Sequence, residues 1–199
     1  MSTPLPWLKP GLVVGALAPL TALALQAATG ALGADPIAIA LNRLGLLALI
    51  LLVASLMCTP LKLFFGWTWP LRVRRALGLL AFTYAAAHVL LYSVVDQGLE
   101  LSAIVADVVK RPFITVGFVA FVLLVPLAWT STDAAVRRLG FERWQRLHRL
   151  TYVASSLGAL HFFLRVKKDV SEPLVVVLLL AGSFGLRLIA RARSTRPAS

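Results

Sequence analysis

The sequence predicts an all-α integral membrane protein, a six-transmembrane-helix bundle with both termini cytoplasmic. Of its 199 residues, 59% are hydrophobic and only 14% are charged, whereas soluble domains carry about 25% charged residues. A bilayer core of about 30 Å needs roughly 20 mainly apolar residues per helix, and six runs of that size follow one another. The predicted spans, which make residues 1–199 a single transmembrane domain, cover residues 11–33, 42–65, 76–96, 112–130, 149–166 and 173–190.

The basic residues are distributed unevenly between the connections, and this predicts the orientation. If both termini and the second and fourth connections share one side of the membrane, that side carries 14 basic and two acidic residues, and the other carries six of each. Basic residues accumulate on the cytoplasmic side of membrane proteins. The net charge of +12 therefore reflects the topology of the chain in a membrane, and nucleic acid is excluded as a partner.

The first two spans read as ordinary membrane helices. Gly11 and Gly15 have the spacing of closely packed helices, and the length of the span, with only Lys9 before it, favours a membrane helix over a cleaved signal peptide. Asp35-Pro36 predicts a short turn into the second span. Thr59-Pro60 predicts a bend near the far end of that span.

The third span carries the stripe around which the chain is organised. Tyr84, His88 and Tyr92 recur at helical spacing and so share one face. Three alanines, residues 85–87, flank the histidine with small side chains. We therefore expect a planar ligand to approach this face closely.

Helix-capping residues, prolines and a glycine mark the ends of the remaining predicted helices. Residues 96–111 predict a short helix lying on the membrane surface, and Pro112 opens the fourth span at a position where a missing N–H costs little. Residues 130–133 predict the N-cap of a short basic helix that ends at Gly140. Glu172-Pro173 opens the sixth span.

His88 and His161 are the histidines that lie well inside predicted spans, and they lie at matching depth. At 1.5 Å per residue, His88 is about 20 Å beyond Arg75 and about 10 Å short of Val95. His161 precedes Lys167 by about 9 Å on a helix that runs in the same direction. Both imidazoles are therefore predicted in the outer half of the bilayer.

Two imidazoles facing each other inside a membrane indicate a metal centre. An ionisable residue within a span is a functional hypothesis by default, and Gly158, one turn before His161, leaves that face clear for a flat group. Haem iron with two axial imidazoles has no open position, which favours electron transfer. The alternative is a pair of structural histidines, and zinc is weaker because the spans offer no third or fourth ligand. Cys58, the single cysteine, excludes a Cys-x-x-Cys-His haem attachment and thiolate clusters.

His148 leaves two interpretations open. It lies about 19 Å below His161 and is rotated by about 220° from it on an ideal helix, and Arg74 and Arg75 occupy the matching depth on the third span. It is either a ligand of a second haem or an interfacial histidine that contacts headgroups or a phosphate. The chain has no Walker or dinucleotide loop, and no acidic residue in a span core, which weakens a transporter or channel.

On these residues the chain resembles the MsrQ (YedZ) family, the haem-binding membrane subunits of bacterial MsrPQ protein-methionine-sulfoxide reductase systems. The similarity covers the second to sixth helices. It is carried by Arg74-Arg-Ala-Leu-Gly-Leu-Leu-Ala-Phe-Thr-Tyr-Ala-Ala-Ala-His88, Lys110-Arg-Pro-Phe-Ile-Thr-Val-Gly117, and Trp144-Gln-Arg-Leu-His-Arg-Leu-Thr-Tyr152 followed by His161.

The resemblance implies a ferric-reductase-like transmembrane domain, related in plan to the membrane parts of NADPH oxidases, with one or two b-type haems and an FMN. His88 and His161 match the family's haem ligands, and His148 matches its third histidine. The oxidases carry two histidines on each of two helices, and this chain has one on its third helix, which puts a second bis-histidine haem in doubt.

We therefore expect a haem b electron-transfer subunit of an oxidoreductase system, located in the bacterial inner membrane. Electrons are expected from the quinone pool or a cytoplasmic flavin reductase, and sulfoxide reduction is expected on a periplasmic molybdopterin partner of the MsrP type. The candidate residues for FMN or a haem propionate are Arg74, Arg75, Arg149, Tyr84, Tyr92, Gly158 and Arg165. The alternatives are a stand-alone ferric reductase, a quinol-oxidising cytochrome b, and a non-redox transporter or scaffold, which would purify colourless.

Overall fold

We describe residues 6–166 and 169–194 of a computed structural model of the chain, and nearly all of them are helical. The helices are α1 (Leu8–Ala28), α2 (Pro36–Phe65), α3 (Trp69–Leu90), α4 (Leu101–Lys110), α5 (Pro112–Trp129), α6 (Asp133–Leu139), α7 (Phe141–His148), α8 (Leu150–Arg165) and α9 (Ser171–Ser194). Lys167 and Lys168, which follow the fifth predicted span, lie outside the described residues.

Five helices in the described ranges are long and apolar enough to cross a membrane. They are Leu8–Ala28, Pro36–Phe65, Trp69–Asp96, Pro112–Trp129 and Ser171–Ala190. At the place of the fifth predicted span, α8 has 16 residues, a rise of about 24 Å. The all-helical class is therefore confirmed, whereas the count of six spans and the cytoplasmic termini stay predictions.

The second and third helices begin well before their predicted spans, α2 at Pro36 and α3 at Trp69. The Asp35 carboxylate accepts a hydrogen bond from the Ala38 amide at 3.1 Å, so it caps α2 instead of only forming a turn. α3 begins at Trp69, which places Arg74 and Arg75 in its second turn. The arginines are thus held on a helix and not in a loop.

The centre of the bundle is α2, which packs against α1, α3, α8 and α9. Inside a bilayer this packing depends on close van der Waals contact, because lipid is as apolar as the side chains. One buried cluster joins α2 to α8 and α9, and consists of Leu49, Val53, Leu56, Ala159, Val176 and Leu180. A second pairing, of α5 with α8, brings the helix of His161 beside the α2–α3 pair.

One end of the bundle, here called the α4 end, carries α4 and the last turn of the third span. That turn, Leu91–Asp96, is a π-helix that continues α3, a rare form that often marks functional sites. The predicted short surface helix is present as α4, whose Leu101, Val105 and Val109 point outward and are exposed. The opposite face of α4 points into the bundle.

The opposite end, the α6 end, carries α6 and α7. The Thr132 hydroxyl accepts from the Ala135 amide at 3.1 Å and caps α6. Gly140 has a φ of 77°, a conformation that favours glycine, and it ends α6. Both features were predicted from the sequence, and they direct α7 into α8.

Candidate functional site

A cavity of about 340 Å³ lies between α2, α3, α5 and α8, towards the α4 end. Its walls are mainly aliphatic and small side chains, including Ala81, Ala85 and Gly158. The inward face of α4 contributes Ile104 and Val108, so this helix covers one side of the cavity. An apolar chamber with a few convergent polar groups is the usual form of a cofactor site.

His88 of α3 and His161 of α8 face each other in this cavity. Their ring centroids are 6.2 Å apart, and the two ring planes are nearly perpendicular, at 83°. Both side chains line the cavity wall. The pairing at equal depth that residue counting predicted is therefore present as a contact between two helices.

Each of the two imidazoles is oriented by a backbone carbonyl of a neighbouring helix. His88 Nδ1 lies 2.9 Å from the Leu41 oxygen in α2, and His161 Nδ1 lies 2.7 Å from the Phe113 oxygen in α5. A carbonyl only accepts, so each Nδ1 carries the proton and each Nε2 keeps its lone pair. In this tautomer a histidine can bind a metal through Nε2 while the hydrogen bond from Nδ1 fixes the orientation of the ring.

Polar and charged side chains lie in the cavity wall at the α4 end. The Tyr92 hydroxyl donates to the Asp107 carboxylate at 3.3 Å, and Arg111 Nε pairs with the same carboxylate at 3.4 Å. Arg111 and Arg165 both line the cavity. Two guanidinium groups therefore border the end of an otherwise apolar chamber.

The Thr115 hydroxyl also donates to the Val108 carbonyl, which fastens α4 to α5. Together with the Tyr92–Asp107 bond, this holds α4 over the cavity.

Several predicted cofactor-binding residues do not line the cavity. Tyr84 is fully buried, and its hydroxyl donates to the Ala16 carbonyl of α1 at 2.6 Å, so it fastens two helices together. Arg75 pairs with Asp133 at 2.6 Å, and this contact holds the pKa of the Asp133 carboxyl below its usual value. Arg74 and Arg149 lie, like Arg75, towards the α6 end. The predicted set is thus divided between the two ends of the bundle.

His148 lies outside the cavity wall, at the α6 end. Its ring stacks on Trp144 with centroids 4.0 Å apart. The Thr130 hydroxyl donates to Pro126 at 2.7 Å, so His148 Nε2, 3.0 Å from that hydroxyl oxygen, must be the donor to it. Metal binding through Nε2 would require the Thr130 contact to break.

A second polar cluster, which sequence reasoning missed, joins α9 to α2 and α8. Arg187 donates to the Tyr152 hydroxyl at 2.7 Å and to the Leu56 carbonyl at 2.5 Å, and its guanidinium lies 5.3 Å from the centre of the Tyr152 ring. The sequence shows Arg187 only as one of several C-terminal basic residues. Nothing in the pattern distinguishes it from an arginine that contacts headgroups.

The sequence also missed the roles of Gly45 and Gly117, which lie against the rings of His88 and His161 respectively. A glycine within an apolar helix is a signal of close packing, but it does not name the partner. In the described part of the chain no group of three or more His, Cys, Asp or Glu could hold a metal ion by itself. The histidine pair offers two imidazoles, and two is the number of protein ligands that a haem takes when no position stays open.

Comparison with known proteins gives a consistent result over the whole chain. The family model described as "Ferric reductase like transmembrane component" matches residues 44–159, a stretch that contains His88 and ends just before His161. A protein of Deinococcus radiodurans named "Protein-methionine-sulfoxide reductase heme-binding subunit MsrQ" is 51% identical over 195 residues, which are 98% of this chain and 96% of that protein.

Two further relatives carry the same name. The protein of Rhodospirillum rubrum is 49% identical over 92% of this chain and 88% of its own length. That of Ralstonia nicotianae is 46% identical over 87% of this chain and 81% of its own length. Because the match to the Deinococcus radiodurans protein covers 98% of this chain, the similarity includes the first helix as well as the bundle that forms the cavity.

Proposed function

This chain belongs to the MsrQ family of multi-pass membrane proteins, with a transmembrane domain of the ferric-reductase type, and from that premise we propose that it is a haem b electron-transfer subunit. His88 and His161 are the proposed axial ligands, and sulfoxide reduction takes place on a partner subunit. The name of the relatives supports both the binding of haem and the assignment to a methionine-sulfoxide reductase system.

The observation that carries the proposal is the spacing of the two rings. A metal binds an imidazole nitrogen at about 2 Å, so two imidazoles on opposite sides of one metal place their ring centroids roughly 6 Å apart. The observed separation is 6.2 Å. This spacing supports a haem held by His88 and His161 between α3 and α8.

The surrounding residues bind and orient such a group. The carbonyls of Leu41 and Phe113 hold both Nδ1 protons, so both Nε2 lone pairs are available. Arg111 and Arg165 at the α4 end suit the carboxylates of the propionates. A haem held by these two histidines would supply one-electron transfer. Apolar side chains form most of the chamber wall, and α4 covers one side of it.

The loop charges support an orientation in which the α4 end faces the periplasm and both termini are cytoplasmic. Electrons then arrive from the quinone pool or a cytoplasmic flavin reductase and leave towards a periplasmic molybdopterin subunit of the MsrP type. Reduced protein mixed with such a subunit and methionine sulfoxide should become oxidised only when both are present. Oxidation at the same rate without the subunit would favour a stand-alone reductase.

FMN remains a prediction, because the name of the relatives refers to haem and not to a flavin. The candidate anchors are Arg74, Arg75 and Arg149, which lie towards the α6 end. Flavin quantitation on the purified protein, and on variants with these arginines replaced by Ala, tests the assignment. Flavin content that does not change in those variants would remove it.

The orientation can be tested by labelling single cysteines in a Cys58→Ser background. We propose that α8 also crosses the membrane, as the fifth of six spans, with part of α7 completing its length. A membrane-impermeant thiol reagent applied from the periplasmic side should then label Ser102→Cys in α4 and Ser171→Cys at the start of α9, and label Glu142→Cys in α7 only after lysis. These three positions are exposed. Labelling of Ser171→Cys only after lysis would show that α8 does not cross.

His148→Ala should keep the haem held by the other two histidines, because His148 is outside the cavity wall. We expect a loss of about 1–2 kcal/mol in stability from the missing Thr130 hydrogen bond and Trp144 contact. The absorption spectrum and thermal unfolding in detergent measure the two effects. Loss of the entire low-spin spectrum would contradict this division of roles.

A further inference from the structure

His88 lies against a glycine as well as a carbonyl. Gly45 is four residues beyond Leu41, whose carbonyl accepts from the His88 ring. A Cβ added at Gly45 would lie 3.3 Å from both Nδ1 and Cε1 of His88. That distance is tighter than ordinary van der Waals contact, so the ring would have to move by a few tenths of an ångström.

The same arrangement recurs, with less space, at His161. Gly117 is four residues beyond Phe113, whose carbonyl accepts from the His161 ring. A Cβ added at Gly117 would lie 2.6 Å from Nδ1, 2.9 Å from Cε1 and 3.0 Å from Cγ of His161. Contacts this short are not tolerated, so His161 would have to leave its present position.

Helix geometry explains why the glycine follows the carbonyl by four residues. In an α-helix the carbonyl of residue i accepts the amide of residue i+4, so the backbone of residue i+4 lies beside that carbonyl. A side-chain donor that approaches the carbonyl from outside therefore meets the Cβ of residue i+4. Only glycine leaves that approach open. α2 and α5 each present this combination to the histidine of the helix beside it.

We propose that Gly45 and Gly117 are positioning residues that set the depth and rotation of the two axial imidazoles, with Gly117 the stricter of the two. This inference rests on the proposed function, in which the imidazoles ligate a haem. Gly117→Ala moves His161 off its carbonyl and out of line with His88. Gly45→Ala leaves His88 within reach and changes the angle between the rings.

The test is the spectrum of purified haem-loaded protein. Gly117→Ala should lose the low-spin bis-histidine absorption and EPR signal, by conversion to a high-spin form or by loss of haem. Gly45→Ala should keep a low-spin haem but shift its EPR g values and midpoint potential, because both depend on axial-ligand geometry. The matched controls are Gly15→Ala and Gly182→Ala, also in membrane helices, where an added Cβ meets nothing within 4 Å. Both controls should give the unaltered spectrum.

A double substitution separates a clash with the ring from a general folding defect, and it needs no haem. In the apo-protein, Gly117→Ala should lower the melting temperature when His161 is present. In a His161→Ala background the same change should lower it no further, or raise it, because alanine favours the helix once the ring is gone. An equal loss in both backgrounds would overturn the proposal.

The outcomes also distinguish a failure of this inference from a failure of the proposed function on which it rests. A wild-type protein without haem would contradict the proposed function. A wild-type low-spin haem that persists unchanged in Gly117→Ala would leave the function standing and overturn the positioning role.

Discussion

Replacing either His88 or His161 by alanine should abolish the low-spin haem spectrum of the purified protein. Each variant removes one of the two imidazoles whose centroids lie 6.2 Å apart across the cavity, and the cavity wall offers no third histidine in the described residues. A single axial imidazole leaves the iron high-spin and weakly held. Absorption and EPR spectra of protein purified at equal yield measure the effect, which should be nearly complete in both variants.

His148→Ala is the matched control for this pair. It removes an imidazole of the same chemistry from the α6 end, outside the cavity wall. The low-spin signal of the His88–His161 pair should survive in it. Full retention of haem in both His88→Ala and His161→Ala would show that the ligands lie elsewhere.

Arg187→Ala should strongly destabilise the bundle, although Arg187 lies outside the cavity. The guanidinium donates to the Tyr152 hydroxyl and the Leu56 carbonyl, and it lies over the Tyr152 ring, so it joins α9 to α8 and α2. Its loss leaves two partners without a charged donor, at a cost of about 2–3 kcal/mol. Thermal unfolding in detergent should show this as a lower melting temperature.

Arg193→Ala, on the same helix, is the control. Its side chain is exposed, and replacing an exposed charge usually changes stability by less than about 0.5 kcal/mol. Arg187→Lys should have a melting temperature between those of the wild-type protein and Arg187→Ala, because one ammonium group cannot reproduce the planar fork of the guanidinium. Equal melting temperatures for the Arg187 and Arg193 alanine variants would contradict the role of Arg187 as a cross-link.

The histidine pair could be predicted from the sequence because the depth of a residue in the membrane depends only on its position along its helix. Apolar runs fix where each helix crosses the membrane, and the rise per residue converts position into height. His88 and His161 therefore matched before any contact was known. Caps such as Thr132, and Gly140 as the end of α6, were predictable for a similar reason, since they depend on a few adjacent residues.

Contacts around the helix axis could not be predicted in this way. Tyr84 shares a stripe with His88, yet its hydroxyl binds α1, because a stripe on a helix is wide enough to face two neighbours. The role of Gly117 depends on which ring approaches it, and that is a property of the α5–α8 pairing. Arg165 lines the cavity, whereas Arg74, Arg75 and Arg149 lie towards the other end of the bundle.

The central claim is that the chain binds b-type haem between His88 and His161. A pyridine haemochrome assay with protein quantitation, on wild-type protein and the two alanine variants purified in parallel, tests it most directly. The account predicts a b-type spectrum with at least one haem per wild-type chain, and the loss of that haem in both variants. A colourless wild-type protein, or equal haem content in all three, would contradict it.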